Sequence, residues 1–140
     1  MGLSDQNRKD LIHMYWTKSI QTMEELQVAV DAKKWNMAAN RMYYALFHAI
    51  TALLVKDGHP VGTHRGAKAA FGQYYVLTGK MTPDEGRFFS QMETLRDRAD
   101  YDIVFTASEK DILSYLPDAK SLIGKIGIIL EEPQESTAQD

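Results

Sequence analysis

The sequence has no cysteine, only four prolines and no long apolar run, and these absences remove several classes of protein. Without cysteine there is neither a disulfide framework nor a thiolate metal site. No apolar stretch reaches the roughly 18–20 residues that a membrane span requires. The segment Met1–Lys9 also lacks the basic start and apolar stretch of a signal peptide. Together these absences predict a cytoplasmic protein with no membrane partner.

The chain also lacks the strong positive charge that broad nucleic-acid binding requires. Its 140 residues carry a formal net charge of −3, and 44% of them are hydrophobic. Four acidic residues lie in the final segment EEPQESTAQD, so the rest of the chain is close to neutral. This balance predicts one domain over residues 1–132 and a disordered acidic tail over residues 133–140. It gives no signal for DNA, and any contact with a polyanion has to be local.

Apolar residues recur at helical spacing throughout the chain, and no strand pattern competes with them. The segment from residue 36 to about residue 56 is apolar nearly all round, which is typical of the central helix of a bundle. The run Thr82–Glu85 (TPDE) predicts a complete capping box with proline at the first helical position. Further helix caps are expected at Ser4, Thr63 and Ser108. The sequence therefore predicts an all-α, up-and-down bundle of four to five helices, with Pro117 kinking the last helix or splitting it in two.

One row of side chains along the central helix could carry chemistry. Arg41, Tyr44 and His48 lie about one turn apart and project from the same side. The arginine of this row could hold a phosphate, and the histidine could act as a general base. The alternative is that His48 is a packed residue and that Arg41 reaches outward. A charge in so apolar a helix is costly unless it is paired, and the expected partner of Arg41 is one of Asp97, Asp100 or Asp102.

A second candidate site lies at the start of the third helix, in the run GTHRGAKAAF. His64 and Arg65 stand in the first turn, where free backbone amides can bind an anion, and Lys68 follows one turn later. The alternative is an ordinary polar helix start. The four histidines show no metal-ligand spacing, so neither a metal nor a cofactor is predicted. Most aromatic residues occur at core spacing, and a base-stacking surface is the less favoured interpretation of them.

The run LRDRADYD gathers five charges around one tyrosine where the fourth helix ends. On a helix Asp100 lies one turn beyond Arg96 and can steady it, while Asp97 can accept a hydrogen bond from Tyr101. Arg98 points away from both pairs and is free to meet solvent or a partner. The plainer interpretation is a solvated, salt-bridged helix end.

Three blocks of the sequence together resemble consecutive blocks of a HEPN-domain family of small prokaryotic proteins: AANRMYYALFHAITALL, THRGAKAAFGQYYVLTG and LRDRADYD. The resemblance covers about residues 10–130. It implies a helical bundle, usually dimeric, that is often encoded beside a minimal nucleotidyltransferase in toxin–antitoxin or defence systems. Many members of the family are metal-independent ribonucleases. In these an arginine holds the phosphate, and a histidine four to six residues beyond it moves the proton.

Two places in this sequence match parts of that motif. Arg41 and His48 fit its letters, with six residues between them, but they lie in the central helix. By position the counterpart is Arg96 with Asp97, and Tyr101 stands where the family has a histidine. A phenol has an ordinary pKa of about 10 and is therefore a poor base at neutral pH.

Three functions remain open from the sequence. The favoured one is a non-catalytic HEPN module of a toxin–antitoxin or defence-type system, which binds a nucleotide, RNA or a partner protein through the region Arg96–Tyr101. The second is a metal-independent endoribonuclease that uses Arg96 with Tyr101 or His48, and the third is a purely structural or regulatory subunit. We expect a homodimer, because the central helix is apolar on more faces than one bundle covers. A minimal nucleotidyltransferase is the possible protein partner.

Overall fold

The structure, a computed structural model, describes residues 4–60 and 62–133. These residues form five helices: α1 (Asp5–Asp31), α2 (Trp35–Lys56), α3 (His64–Phe71), α4 (Pro83–Tyr101) and α5 (Glu109–Glu131). A short π-helical segment, Gly72–Val76, continues α3. No strand occurs in the two described stretches, so the predicted all-α bundle is confirmed. Residues 134–140 of the predicted tail lie outside the described residues.

Side-chain caps begin four of these helices where the sequence predicts them. Ser4, Thr63 and Ser108 each accept a hydrogen bond from the backbone amide three residues later. Thr82 Oγ1 accepts from the Glu85 amide at 3.1 Å, and Glu85 Oε1 accepts from the Thr82 amide at 2.7 Å. Each cap satisfies an amide that has no partner within its helix, and so fixes where that helix begins.

Helix α2 is the central helix of the bundle, as its apolar sequence predicts. It packs against α1, α3, α4 and α5. Its last eight residues, Ala49–Lys56, are all buried. The half-buried side chains of α2 lie in its first two thirds, at positions 35, 36, 40, 41, 44, 47 and 48. This leaves part of α2 open to the surface near the start of α3 and the end of α4.

Helices α3 and α4 run antiparallel, and two contacts give their register. Gly86 on α4 has no side chain, and a Cβ atom there would lie 2.9 Å from Cγ2 of Val76. Lys68 on α3 forms an ion pair of 2.8 Å with Glu93 on α4. Residues that come earlier in α3 and its π-helical continuation therefore face residues that come later in α4. One further turn brings the first residue of α3 level with the last turns of α4.

Pro117 lies inside α5, and the prediction that it could split this helix in two is wrong. The helix is continuous over Glu109–Glu131. Proline lacks a backbone donor, which leaves the carbonyl of Leu113 without its helical hydrogen bond. Both Pro117 and Leu113 are exposed, so water can supply the missing donor.

None of the helices in the described part of the chain combines the length and the apolar character needed to cross a membrane. Across residues 4–60 and 62–133, no three His, Asp or Glu side chains are grouped so that they could hold a metal ion. The cytoplasmic location stays a prediction.

Candidate functional site

The two candidate sites that the sequence suggests lie side by side in the structure. The start of α3 and the end of α4 both contact the rings of Tyr43 and Tyr44 on α2. The Cζ atom of Arg96 lies 5.0 Å from the Tyr43 ring centroid and 5.5 Å from that of Tyr44. The ring of His64 lies 5.6 Å from each of the same two centroids. We call these four residues the Arg96 cluster.

Arg96 is the buried cation of the cluster, with 6% of the residue exposed. Its Nη2 lies 2.8 Å from Asp97 Oδ1, and its Nη1 donates to the Tyr44 hydroxyl at 3.4 Å. The ring of Tyr101 lies 5.9 Å from Arg96 Cζ, on the exposed side. Three tyrosine rings and a carboxylate therefore hold one guanidinium. The cation–π contacts and the ion pair offset part of the cost of burying its charge.

The predicted pairing of Asp97 with the Tyr101 hydroxyl is wrong. Asp97 is the nearer carboxylate to Arg96, whereas Asp100 Oδ2 lies 3.9 Å from Arg96 Nη1. Tyr101 is 76% exposed, and its ring covers the guanidinium from outside. The predicted pairing fails because the Arg96 side chain points inward and lies under the tyrosine rings of α2. In this position the outer edge of its guanidinium contacts the adjacent Asp97.

The remaining charges of the run LRDRADYD have partners outside it. Asp100 accepts from the side-chain amide of Asn40 at 3.0 Å and 3.3 Å, which ties the end of α4 to α2. Arg98 is exposed, as predicted, and its Cζ lies 4.2 Å from the Phe105 ring centroid. The run is therefore more than a solvated helix end, because Asp100 and Arg96 each bind a residue of α2.

The predicted partner of Arg41 is wrong. Its Nη1 binds Glu25 Oε1 on α1 at 2.8 Å, and its Nε and Nη2 donate to Asn40 Oδ1 at 2.9 Å and 2.6 Å. The side chains of Arg41 and Glu25 are 28% and 56% exposed, so this is a surface pair. Arg41 faces α1 rather than α4, and Asn40 takes the contact with α4 instead. The ion pair is therefore not made with Asp97, Asp100 or Asp102.

The row of Arg41, Tyr44 and His48 is present, and its histidine is a weak base. The Tyr44 ring centroid lies 5.5 Å from Arg41 Cζ and 6.1 Å from the His48 ring. Burial lowers the pKa of His48 to about 4, and electrostatic interactions with Lys18, Arg41 and His64 act in the same direction. His48 is thus neutral at pH 7 and a weak base there. Its Nδ1 is buried and has no hydrogen-bond partner among the described residues.

His64 joins the cluster through Tyr43. Its Nδ1 lies 2.9 Å from the Tyr43 hydroxyl, and its ring packs at 4.4 Å from the Phe47 ring. Burial raises the pKa of Tyr43, and the charge of Glu93 raises it further. The Tyr43 hydroxyl therefore stays protonated at neutral pH.

The other groups predicted at the start of α3 are used differently. The Gly66 amide donates to Thr63 Oγ1 at 2.9 Å, so the cap occupies one of the amides that an anion would need. Lys68 is paired with Glu93, and Arg65 is exposed. Of the residues proposed for this anion site, His64 is the one that enters the cluster.

The sequence does not identify Tyr43 and Asn40 as parts of this site. Tyr43 fits core spacing, and it is fully buried, yet it contacts both Arg96 and His64. Asn40 is an ordinary polar residue near the start of α2. A local signal exists for Tyr44, which lies one turn from Arg41 and from His48. The contacts of the other two depend on the packing of α3 and α4 against α2.

Comparison with known proteins gives the family. A model of the HEPN domain matches residues 12–129. A UPF0332 protein of Thermotoga maritima is 28% identical over 90% of this chain and 96% of its own length. The protein named "Putative toxin MJ0605" of Methanocaldococcus jannaschii is 28% identical over 80% of this chain and 83% of its own length. A UPF0332 protein of Archaeoglobus fulgidus is 28% identical over 74% of this chain and 93% of its own length. Because the domain match covers most of the chain, the chain belongs to the HEPN family.

Proposed function

We propose that this chain is a toxin-type HEPN protein that binds the phosphate of RNA or of a nucleotide through Arg96 without cleaving the ligand. Two of its relatives carry the word toxin in their names, which supports the toxin-type assignment. The observation that carries the proposal is the contact between Arg96 Nη2 and Asp97 Oδ1 at 2.8 Å. A carboxylate oxygen at this position occupies the place that a phosphate oxygen would take.

A phosphate can replace this carboxylate without moving the guanidinium. The Asp97 side chain is 54% exposed and can turn into solvent. The guanidinium remains on its tyrosine rings, and Nη1 keeps its contact with Tyr44. A fixed guanidinium loses little conformational freedom on binding, which favours affinity.

The proposal that the ligand is not cleaved is based on the properties of the two proton carriers that the sequence suggests. Attack by a ribose 2′-hydroxyl needs a group that removes its proton at neutral pH. Tyr101 is a phenol, 76% exposed, and its ring rather than its hydroxyl faces Arg96. His48 has a pKa of about 4 and lies on α2 where it faces α1. These two observations favour the binding module over the ribonuclease.

The proposed binding unit is a homodimer, with the end of α4 in its interface. Tyr101, Ile103 and Val104 are 76%, 98% and 87% exposed and follow one another closely. Such a run of exposed apolar side chains is typical of a surface that a partner covers. The family resemblance supports a second copy of this chain there, and a minimal nucleotidyltransferase as the further partner.

The test is binding of a fluorescently labelled single-stranded RNA, measured by anisotropy at low salt. Arg96→Gln is expected to weaken binding at least about tenfold, or about 1.4 kcal/mol, because the phosphate loses its charged donor. Arg87→Gln is the matched control, since Arg87 is an exposed arginine of the same helix that pairs with Asp84. The same RNA is also incubated with the protein and examined on a denaturing gel.

Each outcome selects one of the three functions. Binding that depends on Arg96 without RNA cleavage supports the proposed module. Robust cleavage that Arg96→Gln abolishes would establish the ribonuclease instead. If Arg96→Gln changed only the unfolding free energy and the wild type bound no RNA or nucleotide, the chain would be a structural subunit. Light scattering of the same samples gives the mass of the binding unit.

A further inference from the structure

We propose that His64 is a second phosphate ligand, which acts beside Arg96 by donating a hydrogen bond from its Nε2. This inference rests on the proposed phosphate binding at Arg96 and names the residue that completes the site. It is carried by three observations: the register of α3 against α4, the hydrogen bond between Tyr43 and His64, and the half-buried position of His64, whose Nε2 has no hydrogen-bond partner among the described residues.

The register places His64 next to the guanidinium. Lys68 lies one turn after His64 on α3, and its partner Glu93 lies one turn before Asp97 on α4. Since the two helices run antiparallel, His64 is level with Arg96 and Asp97. The contacts of His64 and Arg96 with the same two tyrosine rings agree with this register.

The hydrogen bond with Tyr43 determines which nitrogen of His64 carries the proton. Tyr43 is fully buried, and among the described residues His64 Nδ1 is the partner of its hydroxyl. If Nδ1 carried the proton, the hydroxyl proton of Tyr43 would be buried without an acceptor, which is costly. Tyr43 therefore donates to Nδ1, and the proton of the neutral imidazole is on Nε2. The raised pKa of Tyr43 keeps this donor in place at neutral pH.

The Nε2 edge of His64 is open to a ligand. Within the described stretches, the buried polar side-chain atoms that lack a hydrogen-bond partner belong to Arg8, His48 and Arg96. Among residues 4–60 and 62–133, no hydrogen bond engages His64 Nε2, and His64 is half-buried, so its absence from that group places the atom in contact with solvent. An N–H that is fixed in direction and open to solvent can donate to an anion at little conformational cost.

Two donors from two helices define the chemistry of the ligand. Arg96 offers a charged N–H at Nη2 once Asp97 turns away, and His64 offers a second N–H from α3. A phosphate group presents several oxygens and can accept from both donors at once. The same oxygens occur in the internal phosphodiesters of RNA and in the terminal phosphate of a nucleotide, so two probes are needed to separate these sources.

The experiment compares two substitutions of His64 against one matched control. His64→Phe keeps a ring against Phe47 and Tyr44 but removes the donor, whereas His64→Gln keeps an N–H near the Nε2 position. His59→Phe is the control, because His59 stacks on Tyr74 at 3.7 Å at the other end of α2. The probes are a 5′-hydroxyl single-stranded RNA, which carries internal phosphodiesters alone, and adenosine monophosphate.

We expect His64→Phe to weaken binding of the relevant probe by about tenfold, or about 1.4 kcal/mol, and His64→Gln to recover most of this loss. His59→Phe is expected to bind as the wild type does. Loss with the RNA probe assigns an internal phosphodiester, and loss with adenosine monophosphate assigns a terminal phosphate. Side-chain ¹⁵N NMR is expected to show the Nε2–H form of His64 in the wild type.

The results separate this inference from the proposed function. If Arg96→Gln weakens binding but His64→Phe does not, the role of His64 is wrong and the role of Arg96 stands. Equal losses in His64→Phe and His64→Gln would also overturn the inference, because the donor would then not be the group that matters. An Nδ1–H form of His64 in the wild type would overturn it independently of any ligand. If the wild type binds neither probe, both proposals are wrong.

Discussion

Towards each end of α2, a buried tyrosine contacts a polar partner. The two contacts differ in the surroundings of that partner. In the first half of α2, the Tyr43 hydroxyl contacts His64, which is half-buried. Near its end, Tyr75 donates to the Leu53 carbonyl at 3.2 Å and to the Asp57 carboxylate. Burial raises the pKa of both tyrosines. A buried phenol with a perturbed pKa is therefore not by itself a sign of a binding site in this protein.

The end of α2 is a structural anchor. Lys56 donates from Nζ to the Ile129 carbonyl at 2.9 Å, which ties α2 to α5. His59 and Tyr74 stack in parallel and hold the following loop against the π-helical segment. These contacts join α2 to α5 and to the π-helical segment, whereas the Arg96 cluster is proposed to have donors that face a ligand. Under the proposed function, the first end serves binding, and the contacts at the other end serve stability.

The largest expected effect compares the two tyrosines directly. Tyr75→Phe should lower the free energy of unfolding by about 2–3 kcal/mol, because it removes the buried hydroxyl that donates to the Asp57 carboxylate and that supplements the Asp57 amide at the Leu53 carbonyl. Tyr43→Phe should cost only about 1 kcal/mol, since the imidazole of His64 lies at the surface and water can reach it. Urea denaturation at pH 7 measures both changes.

Tyr74→Phe is the control for this comparison, because it keeps the ring that stacks on His59. We expect it to change the unfolding free energy by less than about 0.5 kcal/mol. Equal costs for Tyr43→Phe and Tyr75→Phe would remove the distinction between an open end and a closed end of α2.

A smaller effect on the unfolding free energy is expected at acidic pH. It comes from His48, which lies between the two ends of α2. Its folded pKa of about 4 lies below the unfolded value of 6.5, so the unfolded chain binds the proton more readily. The resulting contribution to stability is complete above pH 6.5 and is lost as the pH falls towards 4. Allowing for partial exposure, we expect the loss to be about 2 kcal/mol.

The measurement is urea denaturation at several pH values across this window, for the wild type and for His48→Phe. The difference in unfolding free energy between the two proteins should narrow or reverse as the pH falls, because phenylalanine takes up no proton. Parallel pH profiles for the two proteins would contradict the lowered pKa of His48.

The smallest expected effect concerns Arg41, which lies beside the cluster but outside it. Arg41→Ala should lower the unfolding free energy by less than about 1 kcal/mol, because its pair with Glu25 is exposed to solvent. Thermal or urea unfolding measures this change, with Glu25→Gln as the matched variant. A cost of about 3 kcal/mol or more would instead restore the buried pair that the sequence suggests.

The fold was largely predictable because its determinants are local. The caps at Ser4, Thr63, Thr82 and Ser108 involve residues three positions apart, and the central position of α2 follows from its apolar composition. The same locality gave the ends of the helices to within a few residues. The continuity of α5 through Pro117 was not predicted, because it depends on the exposure of one carbonyl.

The candidate site was predictable only in part because its contacts join distant segments. The sequence singled out Arg96 and His64 as parts of two separate candidate sites, whereas the structure places them against the same two tyrosine rings. It placed the partner of Arg41 on the wrong helix, because the rotation of α2 against its neighbours decides which side chain faces which partner. It also took Tyr43 for an ordinary core residue, although this ring is where the two sites meet.

Gly86 limits how the sequence of this protein can vary. An alanine there would place its methyl group 2.9 Å from Cγ2 of Val76, and a β-branched side chain has few rotamers with which to yield. A larger residue at position 86 would separate the π-helical segment from α4, and the antiparallel pair of helices would carry that displacement towards His64. We therefore expect positions 76 and 86 to covary in size among homologous sequences. A larger side chain at one position should accompany a smaller side chain at the other.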